Sequence, residues 1–463
     1  MESLREAANT HRLIVTRRNA SEILLVTAGS GWALPRVEIH PHERVAEQLT
    51  AEARRAWGIE TCCLFAPSVR ASFEHEEAGC VVMESVRQND KPPAGTCWMP
   101  SSTASECCDS PDASAVRNAL AEIESHRKGE RAGQFARPGW MRELFTWAQE
   151  QIAPLGLRLT GGFRQLNASP TFSLIRLETE GGAVWFKATG EPNCHELRVT
   201  IALARLFPRY VPPILGVHQA WNGWLSADAA GVSLDEIAGF PAWERVARDL
   251  AELQIESIGK AGELLEAQAR DLRPPVLTGR IDPFIARMGE FMAAQEKPTP
   301  APLVQSELTT LAEALKESCA LLENIGLPNT VGHTDLNAGN IVASEDRCAF
   351  LDWAEGCITN PLLTFEYLRE HMSRNGVEER ASGERLAAAY LRPWESFHSP
   401  VDLRRAREFS PLIAVFAYAV ATDSWRSLDF SANPTLAGYY RSLTRRMYRE
   451  SIQVAQRSEP CLS

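Results

Sequence analysis

The sequence lacks any cysteine pair with the C-x-x-C spacing of zinc or redox sites, although it contains 11 cysteines. Two pairs, Cys62–Cys63 and Cys107–Cys108, are adjacent in the chain, a spacing that suits neither a zinc site nor an unstrained disulfide. An odd number of cysteines without a spacing pattern is typical of reduced thiols in an intracellular protein. The sequence therefore predicts a cytoplasmic protein whose cysteines are not paired.

Long apolar runs are also missing. The most apolar window, residues 411–420, is shorter than the ~20 residues that a membrane-spanning helix needs. The first ten residues, MESLREAANT, have neither the basic stretch nor the apolar core of a secretory signal. We therefore expect no membrane partner, and we predict that residues 411–420 form part of a buried helix.

Positive charge is in short supply, because 48 Lys and Arg residues stand against 59 Asp and Glu residues, which gives a net charge of −11. This balance argues against nucleic acid as a partner. From Leu225 to Ser463 there are 24 basic and 34 acidic residues, so nearly all of the excess lies there. Such an acidic region would attract a cationic substrate, but a solvated acidic surface explains the counts equally well.

Breaks in composition divide the chain into predicted domains. Residues 128–138, KGERAGQFARP, are polar and lack periodicity, which predicts an interdomain linker. Residues 1–127 contain strand patterns and two helical patterns, which predict a small α/β domain. Within it, the Ser-, Cys- and Asp-rich residues 101–114 predict an exposed loop. These boundaries predict that a chain beginning near Arg137 folds alone.

After the linker, the sequence predicts a β-rich part followed by a helical part. Residues 139–225 contain a helical pattern at 141–152, strand patterns with hairpin glycines and a second helical pattern at 196–207, whereas residues 226–463 are largely helical. A β-rich lobe with one helix followed by a helical lobe resembles the layout of a bilobal protein-kinase-like fold. The expected fold class is thus α/β for the N-terminal domain and α+β for the remainder.

The chemically most informative stretch is 331–356, VGHTDLNAGNIVASEDRCAFLDWAEG. Phosphoryl transfer to a hydroxyl needs a carboxylate that positions the hydroxyl and accepts its proton, and it needs oxygen ligands for Mg²⁺. Asp335 fits the first role. Asn340 and Asp352, which are hard oxygen donors, fit the second. His333 is expected to brace the loop through backbone hydrogen bonds.

HTDLNAGN followed by FLDW resembles the HGDxxxxN and DW motifs of the aminoglycoside phosphotransferase family, which includes choline kinase-like enzymes. The resemblance runs from Trp140 to the C-terminus. It implies ATP-dependent phosphorylation of a small-molecule alcohol, which can be cationic, with Asp335 as catalytic base and Asn340 and Asp352 as Mg²⁺ ligands. Thr334 stands where the family usually has Gly. The identity of the acceptor, ATP versus GTP as donor, and the oligomeric state stay open.

The same resemblance implies residues that bind the nucleotide. Lys187, in WFK on the third predicted strand, would hold the phosphates, and Glu196 on the next helix would orient it. Gly161 and Gly162 occupy the place of a phosphate-covering loop, although they do not form a G-x-G-x-x-G pattern. Trp224–Ala227 would be the hinge that contacts adenine.

The N-terminal domain has a resemblance of its own. WALP at 32–35 and AEARRAWGI at 51–59 are similar to the Nudix box, whose glutamates bind the Mg²⁺ that activates water against a diphosphate. Three positions of the box are retained: Glu43, Glu52 and Gly58. Arg55 and Ala56, however, stand where the box has paired glutamates. The pattern predicts a Nudix-like fold without hydrolase activity; the alternative is an unrelated amphipathic helix that ends in Gly.

Three functions are therefore open from the sequence. The favoured one is a small-molecule kinase with an appended Nudix-like domain. The second is a pseudokinase or regulatory protein that uses nucleotide as a structural ligand, which the retention of Lys187 and the three motif residues disfavours. The third is a Nudix-type diphosphohydrolase, which the degraded box disfavours.

Overall fold

The computed structural model describes residues 9–40, 44–66, 79–87, 91–131, 133–375, 380–429 and 432–458. The described residues divide into two compact units. Unit 1 comprises the described residues up to Leu197 together with Pro213–Asp228. Unit 2 comprises Arg198–Pro212 and the described residues from Ala229 onward.

The first part of unit 1 is a mixed sheet with three helices. Its elements are β1 (Asn9–Arg17), β2 (Glu22–Ala28), β3 (Gly31–Ala33), β4 (Arg36–Ile39), α1 (Val45–Trp57), β5 (Thr61–Phe65), β6 (Gly79–Ser85), β7 (Thr96–Pro100), α2 (Ser101–Cys107) and α3 (Ser110–Arg127). The strand order is β3-β2-β1-β6-β5, with β4 paired to β1 and β7 to β2, and β1 runs parallel to β6. This confirms an α/β fold here, and we call this part the N-terminal module.

Residues 101–114, which the sequence predicts as a loop, are mostly helical. The Asp109 carboxylate accepts the Asp112 N–H at 3.1 Å, and Pro111 lies in the first turn of α3. Both are helix-start signals. The Ser- and Asp-rich composition therefore reflects a helix N-terminus, which is why the prediction of an exposed loop was wrong.

The second part of unit 1 is an antiparallel five-stranded sheet. Its elements are α4 (Trp140–Ile152), β8 (Leu159–Ala168), β9 (Ser173–Thr179), β10 (Gly182–Ala188), the start of α5 (Glu196–Leu206), β11 (Ile214–His218) and β12 (Gly223–Ala227). The strand order is β11-β12-β10-β9-β8. The division between the units falls inside α5, after Leu197. A β-rich part with one following helix was expected at this place in the chain.

One hydrophobic core joins the two sheets of unit 1. Ile14 and Val82 of the first sheet belong to the same buried cluster as Ile175 and Phe186 of the second. The face of the first sheet that carries Ile14 and Val82 is therefore buried in a core that it shares with the second sheet, while its other face packs against α1 in a separate cluster. The N-terminal module and the five-stranded sheet are therefore parts of one folded body.

Residues 128–138, the predicted linker, contribute to this core. Phe135 and Ala136 are 1% and 0% exposed. The Phe135 ring packs edge-on against Trp140, Phe186 and Trp221, at centroid distances of 4.9, 6.1 and 5.9 Å. The segment is therefore partly buried, and no division between the compact units falls within it.

Unit 2 is mainly helical and also contains two small three-stranded sheets. After the rest of α5, its elements are β13 (Val232–Ser233), α6 (Phe240–Glu256), α7 (Ala261–Glu266), β14 (Arg270–Leu272), α8 (Pro274–Ala293), α9 (Gln305–Ile325), β15 (Thr330–His333), β16 (Ile341–Ala343), β17 (Cys348–Phe350), β18 (Gly356–Thr359), α10 (Pro361–Arg374), α11 (Arg380–Leu391), α12 (Pro400–Val420), α13 (Ser424–Ser427) and α14 (Pro434–Ser458). The sheet orders are β13-β16-β17 and β14-β18-β15.

The apolar window 411–420 forms the second half of α12, and nearly all of its side chains are buried in the core of unit 2. The prediction of a buried helix is confirmed. Among the described residues, no helix combines the length and the apolar character that crossing a membrane would require.

A chain that begins at Arg137 should fail to reach the native fold, in contrast to the independent folding that the sequence boundaries suggest. The truncation removes Phe135 and the first sheet. Apolar surface of the shared core would then be exposed to water, at a cost of about 25 cal/mol per Å². Urea unfolding and dye binding of the truncated and full chains would measure this. Cooperative unfolding of the truncated chain at the midpoint of the full chain would contradict the shared core.

Candidate active site

The motif residues 331–356 lie in unit 2, on the loops that connect short strands. β15 ends at His333, and the loop that carries Asp335 follows it. The antiparallel hairpin β16–β17 then leads the chain to Asp352, and β18 returns antiparallel to β15. Because β15 and β18 are neighbours, the loop that leaves one and the turn that enters the other lie at the same end of the sheet.

Gly332 allows β15 to approach its neighbours closely. A Cβ atom at this position would lie 2.6 Å from Thr359 Cγ2 and 2.8 Å from Thr364 Oγ1. The same Thr364 hydroxyl accepts the backbone N–H of His333 at 3.0 Å. The start of α10 therefore fixes the end of β15, from which the Asp335 loop departs.

His333 is buried and links the two loops of the motif. Its Nδ1 accepts the N–H of Asp335 at 3.1 Å, so the proton of the neutral ring is on Nε2, which donates to the Leu351 carbonyl at 3.2 Å. Burial lowers the pKa of His333, in keeping with a neutral ring. The bracing role expected for His333 agrees with these contacts.

Two asparagines close the Asp335 loop. Asn337 Nδ2 donates to Asp335 Oδ2 at 3.2 Å and so orients the half-buried carboxylate. Asn340 Nδ2 donates to the Asp335 carbonyl oxygen at 3.0 Å. This contact engages the amide nitrogen of Asn340, so Oδ1 is the atom with which Asn340 can bind a cation.

Asp352 is exposed and has a left-handed backbone, with φ 60° and ψ 61°. This conformation costs a residue other than Gly about 1 kcal/mol and concentrates at functional sites. The residue before it, Leu351, is tied to the Asp335 loop at both backbone groups: its N–H donates to the Asn340 carbonyl at 2.8 Å and its carbonyl accepts from His333. These bonds hold Asp352 beside the Asp335 loop.

The donor set of Asn340 and Asp352 fits Mg²⁺. One carboxylate and one amide oxygen are typical of a Mg²⁺ ion that takes its other ligands from phosphates and water. The described part of the chain contains no group of three or more His, Cys, Asp or Glu side chains that could hold a metal by themselves. A metal held by these two side chains would need further oxygen ligands, such as those of water or phosphate.

In unit 1, Lys187 and Glu196 form an ion pair. Lys187 Nζ lies 2.6 Å from Glu196 Oε1, and the two side chains are 12% and 1% exposed. Lys187 Nζ also lies 5.8 Å from the ring centroid of Trp224 on the neighbouring strand β12. A carboxylate this deeply buried requires its cation, so the pair fixes the ammonium group. The structure brings these two residues together, while their role toward a nucleotide stays a prediction.

Gly161 and Gly162 lie in a bulge of β8. The register along β9 shifts so that residues 160–162 stand opposite the single residue Glu178. Gly161 has a φ of +88°, which favours glycine. The structure thus has a short glycine-containing bulge, which we call the glycine bulge, where the sequence suggested a phosphate-covering loop.

Trp224–Ala227, the predicted hinge, lies within an inner strand. β12 pairs with β10 on one side and with β11 on the other. The Ala227 N–H donates to the Pro213 carbonyl at 2.9 Å. Backbone groups of this segment thus take part in the sheet, and a role of Trp224–Ala227 in contacting adenine stays a prediction.

Sequence reasoning missed a charged brace behind the motif, made by Arg270, Glu355 and Thr334. Arg270, only 13% exposed, contacts the Glu355 carboxylate through both terminal nitrogens. Thr334 donates its hydroxyl to the same carboxylate at 3.3 Å and its N–H to the Glu355 carbonyl at 3.1 Å. The hydroxyl contact is one that the glycine usual in the resembled family could not make. The brace connects the Asp335 loop to the turn that follows Asp352.

Residues 239–409 match the model of the phosphotransferase enzyme family, APH. The matched stretch contains Asp335, Asn340 and Asp352, the three residues that the sequence singled out. The match supports a small-molecule kinase and confirms the enzyme class expected from the sequence. No curated protein sequence matches the chain.

Three solved structures illustrate what the chain is similar to. An ethanolamine kinase from Plasmodium vivax has 15% identity and a TM-score of 0.45, over 66% of this chain and 88% of that one. A choline/ethanolamine kinase family protein from Mesorhizobium loti has 16% identity and a TM-score of 0.44, over 68% and 95%. A macrolide 2'-phosphotransferase from Brachybacterium faecium has 16% identity and a TM-score of 0.44, over 65% and 98%.

Replacing Arg270 by Met should lower the free energy of unfolding by about 2 kcal/mol, because it leaves the partly buried Glu355 carboxylate without its cation. The double variant Arg270→Met/Glu355→Met should be more stable than the single one, since both charges are gone. Urea unfolding measures both. Arg273→Met is the matched control, because Arg273 is 39% exposed, against 13% for Arg270, and the expected loss is below about 1 kcal/mol. Equal losses for Arg270→Met and Arg273→Met would contradict the brace.

Proposed function

We propose that the protein transfers the γ-phosphoryl group of ATP to a hydroxyl group of a small molecule. The observation that carries the proposal is the linked pair of loops in unit 2, in which buried His333 holds Asp335 beside the turn of Asp352. The loops lie inside the stretch that matches the phosphotransferase family. They combine the oriented carboxylate of Asp335 with two side chains, Asn340 and Asp352, that carry oxygen atoms suited to a cation.

Asp335 is proposed as the catalytic base. Its carboxylate would hold the acceptor hydroxyl and accept its proton as the new oxygen–phosphorus bond forms and the bond to the β-phosphate oxygen breaks. The hydrogen bond from Asn337 to Oδ2 leaves Oδ1 as the oxygen that can face the acceptor. Because little covalent chemistry is required of the protein, orientation of this carboxylate accounts for much of its contribution.

Asn340 and Asp352 are proposed as the protein ligands of Mg²⁺, which when bound neutralises charge on the phosphates. Lys187 would contact the α- and β-phosphates, with Glu196 keeping its ammonium group in place. The glycine bulge would offer backbone N–H groups to the phosphates.

The acceptor is proposed to be an alcohol, and two observations favour one with a positive charge. Most of the acidic excess of the chain lies from Leu225 onward. In addition, Tyr418 and Tyr439 are partly exposed and share a hydrogen bond between their hydroxyls at 3.1 Å. Burial, the Tyr439 hydroxyl and the charge of Asp335 together raise the pKa of Tyr418. Partly exposed aromatic rings can bind a cation through their faces.

A diphosphohydrolase working from the N-terminal module is disfavoured by an ion pair on α1. Arg55 donates to both carboxylate oxygens of Glu52, at 3.1 and 3.0 Å from Nε. This contact lowers the pKa of Glu52 and gives the retained box residue a cation in place of a metal. Glu43, the other retained glutamate, lies outside the described residues. We therefore propose a Nudix-like module without hydrolase activity.

Asp335→Asn and Asp352→Asn should separate the two roles in unit 2. Asp335→Asn keeps the shape of the side chain but removes the proton acceptor, so Mg-ATP affinity should be nearly unchanged while kcat falls ~10²-fold or more. Asp352→Asn replaces a charged ligand by a neutral one, so Mg-ATP affinity and turnover should fall together, and Asn340→Ala should act likewise but more mildly. Calorimetry with and without Mg²⁺ measures affinity, and ATP consumption with an amino-alcohol or sugar acceptor measures turnover.

The matched control is Asp346→Asn, an exposed acid in the β16–β17 turn outside the proposed site. It should change neither quantity. Loss of nucleotide binding in Asp335→Asn with retention in Asp352→Asn would reverse the assignment. If the wild-type protein binds Mg-ATP but does not consume it with any of the acceptors, the result would favour the pseudokinase alternative.

The N-terminal module should not hydrolyse nucleoside diphosphate derivatives, because Arg55 and Ala56 stand where the box has paired metal-binding glutamates and Arg55 is paired with the retained Glu52. Phosphate release from such compounds, measured with Mg²⁺ and the full chain, should stay at the background level. Mg²⁺-dependent release that disappears in Glu52→Gln would show that the module is a hydrolase after all.

A further inference from the structure

Two outermost strands of unit 1, β5 of the first sheet and β8 of the second, meet at Gln165. β5 ends the order of the first sheet and β8 ends the order of the second. Gln165 of β8 is 1% exposed; its Oε1 accepts the Cys63 N–H at 2.7 Å and its Nε2 donates to the Cys63 carbonyl at 3.1 Å. A side-chain amide has the same donor and acceptor as a peptide group. Gln165 therefore makes the pair of hydrogen bonds that a neighbouring strand would make.

The preceding residue attaches β8 to α1. Arg164 donates through Nε to Glu47 Oε1 at 2.9 Å, and its Nη2 contacts the same oxygen. Glu47 lies in the first turn of α1, the helix that carries the degraded box. Two consecutive residues of β8 are thus bound to two different elements of the N-terminal module, one contact buried and the other at the surface.

These two residues lie in the short regular part of β8. The pairing of β8 with β9 shifts before Phe163, at the glycine bulge, and again between Gln165 and Asn167. Irregularities on both sides leave residues 163–165 as an isolated regular segment. The contacts to Cys63 and Glu47 therefore fix the segment from which the glycine bulge departs.

We propose that the N-terminal module positions the glycine bulge, and that Gln165 and Arg164 are the positioning residues through which it acts. Without these contacts, the segment between the two irregularities would be held only by its pairing with β9 and by the packing of Phe163 against Phe145, and the bulge at 160–162 would sample more positions. This inference rests on the proposed function, because its expected effect is tighter binding of Mg-ATP. It gives the module a role that needs no chemistry of its own.

The first test is Gln165→Leu, which keeps a buried side chain of similar size and removes both amide hydrogen bonds. Hydrogen exchange of the amides at 159–168 in the nucleotide-free full chain should become faster. Mg-ATP affinity, measured by calorimetry well below the unfolding temperature, should fall about five- to tenfold, the effect of losing contacts of ordinary hydrogen-bond strength.

The second test uses the surface contact, where unfolding is not a concern. Arg164→Glu should weaken Mg-ATP binding about two- to threefold, and the charge-reversed pair Arg164→Glu/Glu47→Arg should restore it. Arg55→Gln is the matched control, because it breaks an exposed ion pair of the same helix that does not involve β8. It should leave both exchange in β8 and Mg-ATP affinity unchanged.

The outcomes separate this inference from the proposed function. A wild-type protein that does not bind Mg-ATP would overturn the proposed function and with it the effect on the nucleotide. If the wild type binds Mg-ATP, unchanged affinity in both Gln165→Leu and Arg164→Glu would overturn the positioning role alone. A loss of affinity in Arg55→Gln as large as that in Arg164→Glu, or no recovery in the charge-reversed pair, would also overturn it.

Discussion

The candidate site depends on the two hydrogen bonds made by the neutral imidazole of His333, which is buried in unit 2. His333 accepts a hydrogen bond from the amide of Asp335 and donates one to the carbonyl of Leu351, next to Asp352. A protonated ring has two donors and no acceptor, so only the neutral form can connect the two loops. Burial, which disfavours the charged form of His333, therefore also helps to keep the proposed base Asp335 beside the proposed metal ligand Asp352.

Unit 1 depends in a similar way on contacts between parts of the chain that are far apart. The N-terminal module and the five-stranded sheet share one core, and Phe135 lies where they meet. The buried pair of Lys187 and Glu196 is held in the same body. The position of the ammonium group is therefore tied to the folding of a module that supplies no residue to the pair.

The sequence was sufficient to predict which side chains lie together where those residues are close along the chain. His333, Asp335, Asn340 and Asp352 fall within one short motif, and Lys187 lies nine positions from Glu196. Arg270 could not be found in this way, because its partner Glu355 is 85 positions away and β14 reaches it by pairing with β18. The packing of residues 128–138 could not be predicted from the sequence, because their average polarity concealed Phe135, which is buried by Phe186 and Trp221.

The amide of Gln165 also has a consequence for how separate copies of the chain behave. An outermost strand normally presents unpaired N–H and C=O groups to which a strand of another molecule can add. β5 and β8 are both outermost strands, and each shields the other through this side chain. A molecule whose two sheets separate would present both strands at once, and Cys63 would then lose the hydrogen-bond partner that this amide supplies.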